Sequence, residues 1–266
     1  MATQYANLIA IFLYAIASVY LFRKVLRQET PERNLLLGLA PLILIAHGVG
    51  VYGLSIHQHG FQLGFFAVSS LIFWVINLIV LLSSLKKPLH NLFIMLFPLS
   101  AVSVAASMIG HTDKPDTMLS FTLAGHVLLS ILAYSLLTIA TLQALLLAYQ
   151  NHQLKHRQAA GIIRLLPPLQ TMESLLFELL WGGQIILTLS ILTGIVFLDD
   201  IFAQRLAHKT VFSILAWVIY AVLLWGRHAL GWRGYTAIRW TLVGFSMLML
   251  AYFGSKLVLE ILLQRL

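Results

Sequence analysis

The sequence predicts an all-α, polytopic membrane protein: about eight transmembrane helices in one bundle, with the N-terminus and the C-terminus outside. Three observations carry that prediction. Sixty per cent of the 266 residues are hydrophobic and only 10% are charged, for a mean hydropathy of +0.90, far above the range of a water-soluble domain. The apolar residues are gathered into spans of about 17 to 30, enough to cross a hydrocarbon core about 30 Å thick at about 1.5 Å of rise per residue. Only short polar loops separate the spans, so a single all-helical domain over 1–266 is expected, since backbone groups in lipid must be satisfied within each helix.

The first span, 5 to 22, has no basic stretch before it and carries Arg23 and Lys24 after it, which reads as a retained helix with its N-terminus outside. The second, 35 to 56, places His47 before Gly48, Gly50 and Gly53, residues small enough for another helix or a flat ligand to approach the backbone. The third, 65 to 85, contains Asn77, and the fourth runs from 91 to 109. The fifth, 118 to 149, includes "LAGHVLLSILAY", in which Ser130 and Tyr134 follow His126 at i+4 and i+8; that spacing lays a polar and small stripe on one helix face. The sixth, 175 to 198, holds Glu178 near its inner end, where an arginine could pair with it, and Gln184 deeper in. The seventh, 210 to 226, and the eighth, 240 to 263, are flanked or lined by Trp217, Trp225, Trp232 and Trp240, which suits an interfacial aromatic belt.

Charge gives the orientation. Twelve of the seventeen lysines and arginines lie in the odd-numbered loops, including Arg23, Lys24, Arg27 and Arg33 in the first and Arg227, Arg233 and Arg239 in the seventh. The positive-inside rule puts those loops in the cytoplasm. The net charge of +8 is spread over four short loops, so it implies anionic-lipid contact and no nucleic-acid partner. The chain has no cysteine, which excludes disulfides and thioether capture of a cofactor.

Ionisable groups inside lipid are expensive, and their positions carry most of the functional information. His47 and His126 lie about nine and eight residues from the outer ends of antiparallel spans, so both imidazoles are expected about 12 to 14 Å below the outer surface. His57, His59, His111 and His208 bring the histidines on the outer side to six of ten. Neutral imidazole ligates zinc, copper and iron, haem iron included. No H-E-x-x-H motif accompanies these residues, and no nucleophile, base and orienter can be assembled, so an enzyme is not expected.

Three stretches, "GHVLLSILAYSLLTIA" (125 to 140), "MESLLFELLWGGQIILTLSILTGIVF" (172 to 197) and the segment from His208 to Lys256 that contains "GWRG", resemble the cytochrome c assembly family of the CcsA and HemX type. The resemblance is closest to its bacterial inner-membrane YpjD branch. It implies haem b presented toward the outer face, with His126 at a family haem-histidine position and His47 at a similar second-helix position. The family's tryptophan-rich outer loop is replaced here by "FLDDIFAQRLAHKTVFS", so the resemblance implies haem handling in place of cytochrome c synthesis. The expected site is His126 with His47 or His208 as its partner ligand, accompanied by Ser130 and Tyr134. Two alternatives stand beside it. One is a divalent-cation transporter or regulator using His47, His126 and His208 with Asp199 or Asp200. The other is an assembly factor for other membrane proteins, in which the histidines serve only as interhelical hydrogen bonds.

Overall fold

A computed structural model describes residues 2–57, 60–61, 64–110, 121–156, 166–197 and 207–254. The helices are α1 (Ala2–Leu26), α2 (Arg33–Ser55), α3 (Phe65–Ser84), α4 (Phe93–Ile109), α5 (Phe121–Lys155), α6 (Leu169–Phe197), α7 (Ala207–Leu230) and α8 (Tyr235–Met249). A two-residue antiparallel bridge, β1 (Ile56–His57) with β2 (Gly60–Phe61), follows α2. Among the described residues, seven helices are long and apolar enough to cross a membrane. The eighth, α8, continues through a π-helical turn over Leu250–Gly254. The chain is therefore a multi-pass helical membrane protein, as its hydropathy predicts.

The helices outrun the apolar spans where polar residues cap or close their ends. At the end of α1, Gln28 adopts a left-handed φ of 55°, and Glu29 N–H and Gln28 N–H bond the carbonyls of Lys24 and Val25, the Schellman pattern. Lys24 Nζ then meets Glu29 Oε2 at 2.7 Å, and that hydrogen bond holds the Glu29 carboxyl below the usual carboxylate range. Arg33 Nη2 donates to the carbonyls of Ser84 and Leu85 at 2.9 and 2.8 Å, which satisfies the free carbonyl end of α3. α6 begins at Leu169, earlier than the expected 175, because its first turns bury a charged residue, Glu173, that hydropathy does not favour.

The chain forms two compact units, one of residues 1–118 with 153–168 and the other of residues 119–152 with 169–266. In the first, α1 packs on α2 and α4, and α3 packs on the same two, a closed four-helix ring. Its centre holds Tyr14, Ile43, Phe93, Leu96 and Phe97, with the Phe93 and Phe97 rings stacked at 4.6 Å. The apolar side chains of Leu8, Phe12, Ile16 and Val19 are exposed instead, as expected of a surface whose solvent is lipid. In the second unit, α7 packs on α6 and α8, and Gln143 Nε2 on α5 donates to the Met172 carbonyl at 3.1 Å.

Candidate functional site

His126 lies on α5, half-buried, with Nδ1 at 3.2 Å from Thr193 Oγ1 on α6. The hydroxyl proton of Thr193 is committed to the Ser190 carbonyl at 2.9 Å, so Thr193 Oγ1 can only accept from the ring. The proton of a neutral imidazole then sits on Nδ1 and the lone pair on Nε2. The ring's other partner among the described residues is the Ser190 backbone carbonyl, also an acceptor, and the single N–H of a neutral imidazole leaves Nε2 its lone pair. A pinned Nδ1–H with an open Nε2 is the arrangement by which a supporting oxygen orients a metal-ligating histidine. The residues present at this position fit an axial haem ligand.

Ser130 supports the same turn. Its Oγ donates to the His126 carbonyl at 2.8 Å and lies 2.8 Å from Ser190 Oγ, which must be the donor between them. The two hydroxyls tie α5 to α6 beneath the imidazole. Tyr134 stands two turns further along α5 and is buried, its hydroxyl donating to the Leu248 carbonyl and its ring set edge-on to Tyr252 at 5.6 Å. That carbonyl precedes the π-helical turn of α8, where the regular ladder is interrupted. The predicted stripe is real as a sequence of positions, and its members do different things: Ser130 braces the histidine, and Tyr134 braces α8.

His47 belongs to the first unit and is fully buried. Its Nδ1 lies 2.9 Å from the Tyr14 hydroxyl and its Nε2 lies 3.0 Å from Ser70 Oγ. The Tyr14 ring stands at 82° to the imidazole and leans on Phe97. Both ring nitrogens are occupied, so no lone pair is open to a metal here. Nearby, Asn77 Nδ2 donates to Ser100 Oγ at 2.7 Å, also fully buried. The glycines after His47 are likewise filled by protein. A Cβ at Gly48 would stand 3.0 Å from Trp74 Nε1, and at Gly50 and Gly53 it would strike Asn7 and Thr3 of α1. The close approach expected at these glycines is thus made by neighbouring helices. An apolar groove of about 490 Å³ beside them is lined by Pro41, Leu44, Gly48, Trp74 and Leu78, among others, and by no histidine.

His208 lies in α7 by its backbone, but its side chain is outside the described residues, as are His59, His111, Asp199 and Asp200. Among the described residues, no three His, Cys, Asp or Glu side chains are grouped to hold a metal ion. Trp217 is no belt residue: its Nε1 donates to Thr188 Oγ1 at 2.8 Å while Gln184 Nε2 donates to its carbonyl at 3.2 Å, a clamp between α6 and α7. Glu173 of α6 pairs with two arginines and is buried, whereas Glu178 is exposed. Sequence reasoning missed Tyr14, Ser70, Glu173, Ser190 and Thr193. The only signal for the last two was their own i, i+3 spacing in an apolar helix.

Comparison with known proteins agrees with this architecture. A family model described as Cytochrome C assembly protein matches residues 35–263. The inner membrane protein YpjD of Escherichia coli (strain K12) is 28% identical over 262 residues, 96% of this chain and 97% of the relative. Protein HemX of Brevibacillus brevis is 24% identical over 276 residues, covering 92% and 93%. An uncharacterized 28.8 kDa protein of Azospirillum brasilense is 31% identical over 140 residues, about half of each chain. No solved structure matches. The match spans seven of the eight helices in full or in large part and both compact units, and the chain belongs to the cytochrome c assembly protein family.

Proposed function

We propose that this chain is a non-enzymatic protein of a bacterial inner membrane that binds or hands on haem b, with His126 as an axial ligand from the outer half of the second unit. The observation that carries the reading is the hydrogen accounting around His126: Thr193 accepts the Nδ1 proton, and Nε2 keeps a lone pair that could ligate iron. Haem would supply a redox-active iron and an apolar ring. The chain's own part is to fix one imidazole plane through Thr193 and Ser190 and to exclude water with the surrounding apolar helices. His208 remains the candidate for the opposite face. His47 takes the interhelical role instead, since both its nitrogens are engaged.

Absorption spectra of the purified protein, expressed with ample haem, test this directly. A Soret band that disappears in His126→Ala and persists in His47→Ala is the expected result. A colourless wild-type protein overturns the haem reading, and metal-dependent stabilisation without a Soret band would point to divalent cations.

A further inference from the structure

The inner end of the second unit holds a charge cluster that the haem reading does not use. Glu173 of α6 has a side chain only 7% exposed, yet its Oε1 receives Arg227 Nη1 at 2.9 Å and Arg233 Nε at 3.0 Å. One buried carboxylate therefore serves two guanidinium groups, leaving a net positive charge. Arg227 has further partners: it lies 4.6 Å from the Phe177 ring and its Nη1 also donates to the Trp232 carbonyl at 3.3 Å. Arg233 is different. Its Nε is fixed on Glu173, its side chain is 58% exposed, and its terminal Nη hydrogens have no partner among the described residues. A guanidinium so anchored presents a rigid fork outward, the geometry that matches two oxygens of a phosphate.

The surroundings set the class of ligand. Arg233 sits in the turn between α7 and α8, where Gly231 and Gly234 have φ of 67° and 54°. At that turn the Trp232 ring packs where a Gly226 side chain would stand and lies 5.3 Å from the Trp240 ring. Tryptophan pairs beside cations mark the headgroup level of a bilayer. Trp225 and Leu230, in the last turns of α7 before the loop that carries Arg233, are exposed and apolar, so lipid-soluble surface lies close to the fork along the chain. A freely soluble anion has no use for that surface, whereas a lipid uses both.

We propose that Arg233, oriented by Glu173 and flanked by Arg227 and the Trp232–Trp240 pair, binds the phosphate of an anionic phospholipid of the cytoplasmic leaflet. The arginines carry the recognition; the exposed Arg239 adds long-range attraction. The site is separate from the histidine site. Glu173 and Ser190 are seventeen residues apart on α6, about 25 Å of helical rise.

The test uses the full-length protein in neutral detergent, titrated with dioleoyl-phosphatidylglycerol, dioleoyl-phosphatidylcholine or inorganic phosphate. Bound lipid is counted by native mass spectrometry, and tryptophan emission is followed in parallel. The wild type is expected to prefer phosphatidylglycerol over phosphatidylcholine by about tenfold or more, and Arg233→Gln to lose about tenfold in that affinity, the scale of one charge-assisted bidentate contact. Arg23→Gln, which removes an exposed cation in the first unit, serves as the control and should bind as the wild type does. Equal binding of the two lipids, or an Arg233→Gln variant with wild-type affinity, overturns the proposal. Displacement of the lipid by millimolar inorganic phosphate would assign the fork to a free anion and also overturn it. Any Soret band should be identical in wild type and Arg233→Gln, so failure of this site and failure of the haem reading are distinguishable.

Discussion

At the scale of single residues, two histidines that look alike in the sequence are chemically opposite. His126 has one nitrogen held and one open; His47 has both held, by Tyr14 and Ser70. Thr193→Val removes the acceptor of the His126 Nδ1 proton and frees the ring to turn. Haem affinity should fall by about 10- to 100-fold, the usual cost of losing an outer-shell partner, as read by Soret titration, with little change in thermal unfolding. Tyr14→Phe does the reverse. It leaves a buried imidazole nitrogen unpaired and should cost about 1–3 kcal/mol of stability, seen as earlier unfolding in detergent, while leaving any Soret band in place. The sequence made His126, Ser130 and Tyr134 visible because a fixed helical spacing links them within one segment. It hid Thr193 and Ser190 because contacts between residues 60 and 67 positions apart are set by how two helices pack, which no local pattern encodes.

Helices meet where side chains are missing. The Gly48, Gly50 and Gly53 series was legible as a surface for close approach, but the sequence could not say what approaches. The occupants are Trp74, Asn7 and Thr3. Gly50→Ala would drive a methyl group into the Asn7 amide and push α1 from α2, a loss of about 1–3 kcal/mol. Gly38→Ala, on the same helix with nothing within 4 Å of the new Cβ, should be neutral or stabilise by up to about 1 kcal/mol through helix propensity. Unfolding of the two variants side by side in detergent separates packing from propensity. Glu173→Gln tests the other close junction, between α6 and the α7–α8 turn. It strips the shared partner from two arginines, one of them largely exposed and so partly compensated by solvent, and should cost about 1–3 kcal/mol. Glu173 escaped the sequence reading because it lies before the apolar run that defined the sixth span.

At the scale of the whole molecule, topology was the most legible property, since hydropathy and charge act on entire segments. Eight helices follow from the eight apolar runs, and the cation count predicts their sides. Because the chain has no native cysteine, single introduced ones report sidedness without background. Thr30→Cys, in the first loop, should react with a membrane-impermeant maleimide only in inside-out vesicles, and Ala2→Cys only from the outer face. The opposite pattern would reverse the assigned orientation. Division into two compact units was not legible: no linker of distinctive composition separates them, and one of the three places where the chain passes between them falls within the continuous helix α5.

The hydrogen bond between Tyr14 and His47 also constrains how the protein is made. A lone α1 in lipid would carry the Asn7 amide and the Tyr14 hydroxyl toward hydrocarbon, and a lone α2 would carry His47, each group costing several kcal/mol without a partner. Together they pair the Tyr14 hydroxyl with one nitrogen of His47 and pack the Asn7 side chain against Gly50. The short connection from Arg27 to Glu32 keeps the two helices adjacent in the chain. The imidazole is fully partnered only when α3 brings Ser70 to its second nitrogen, so three helices and not two close this buried seam.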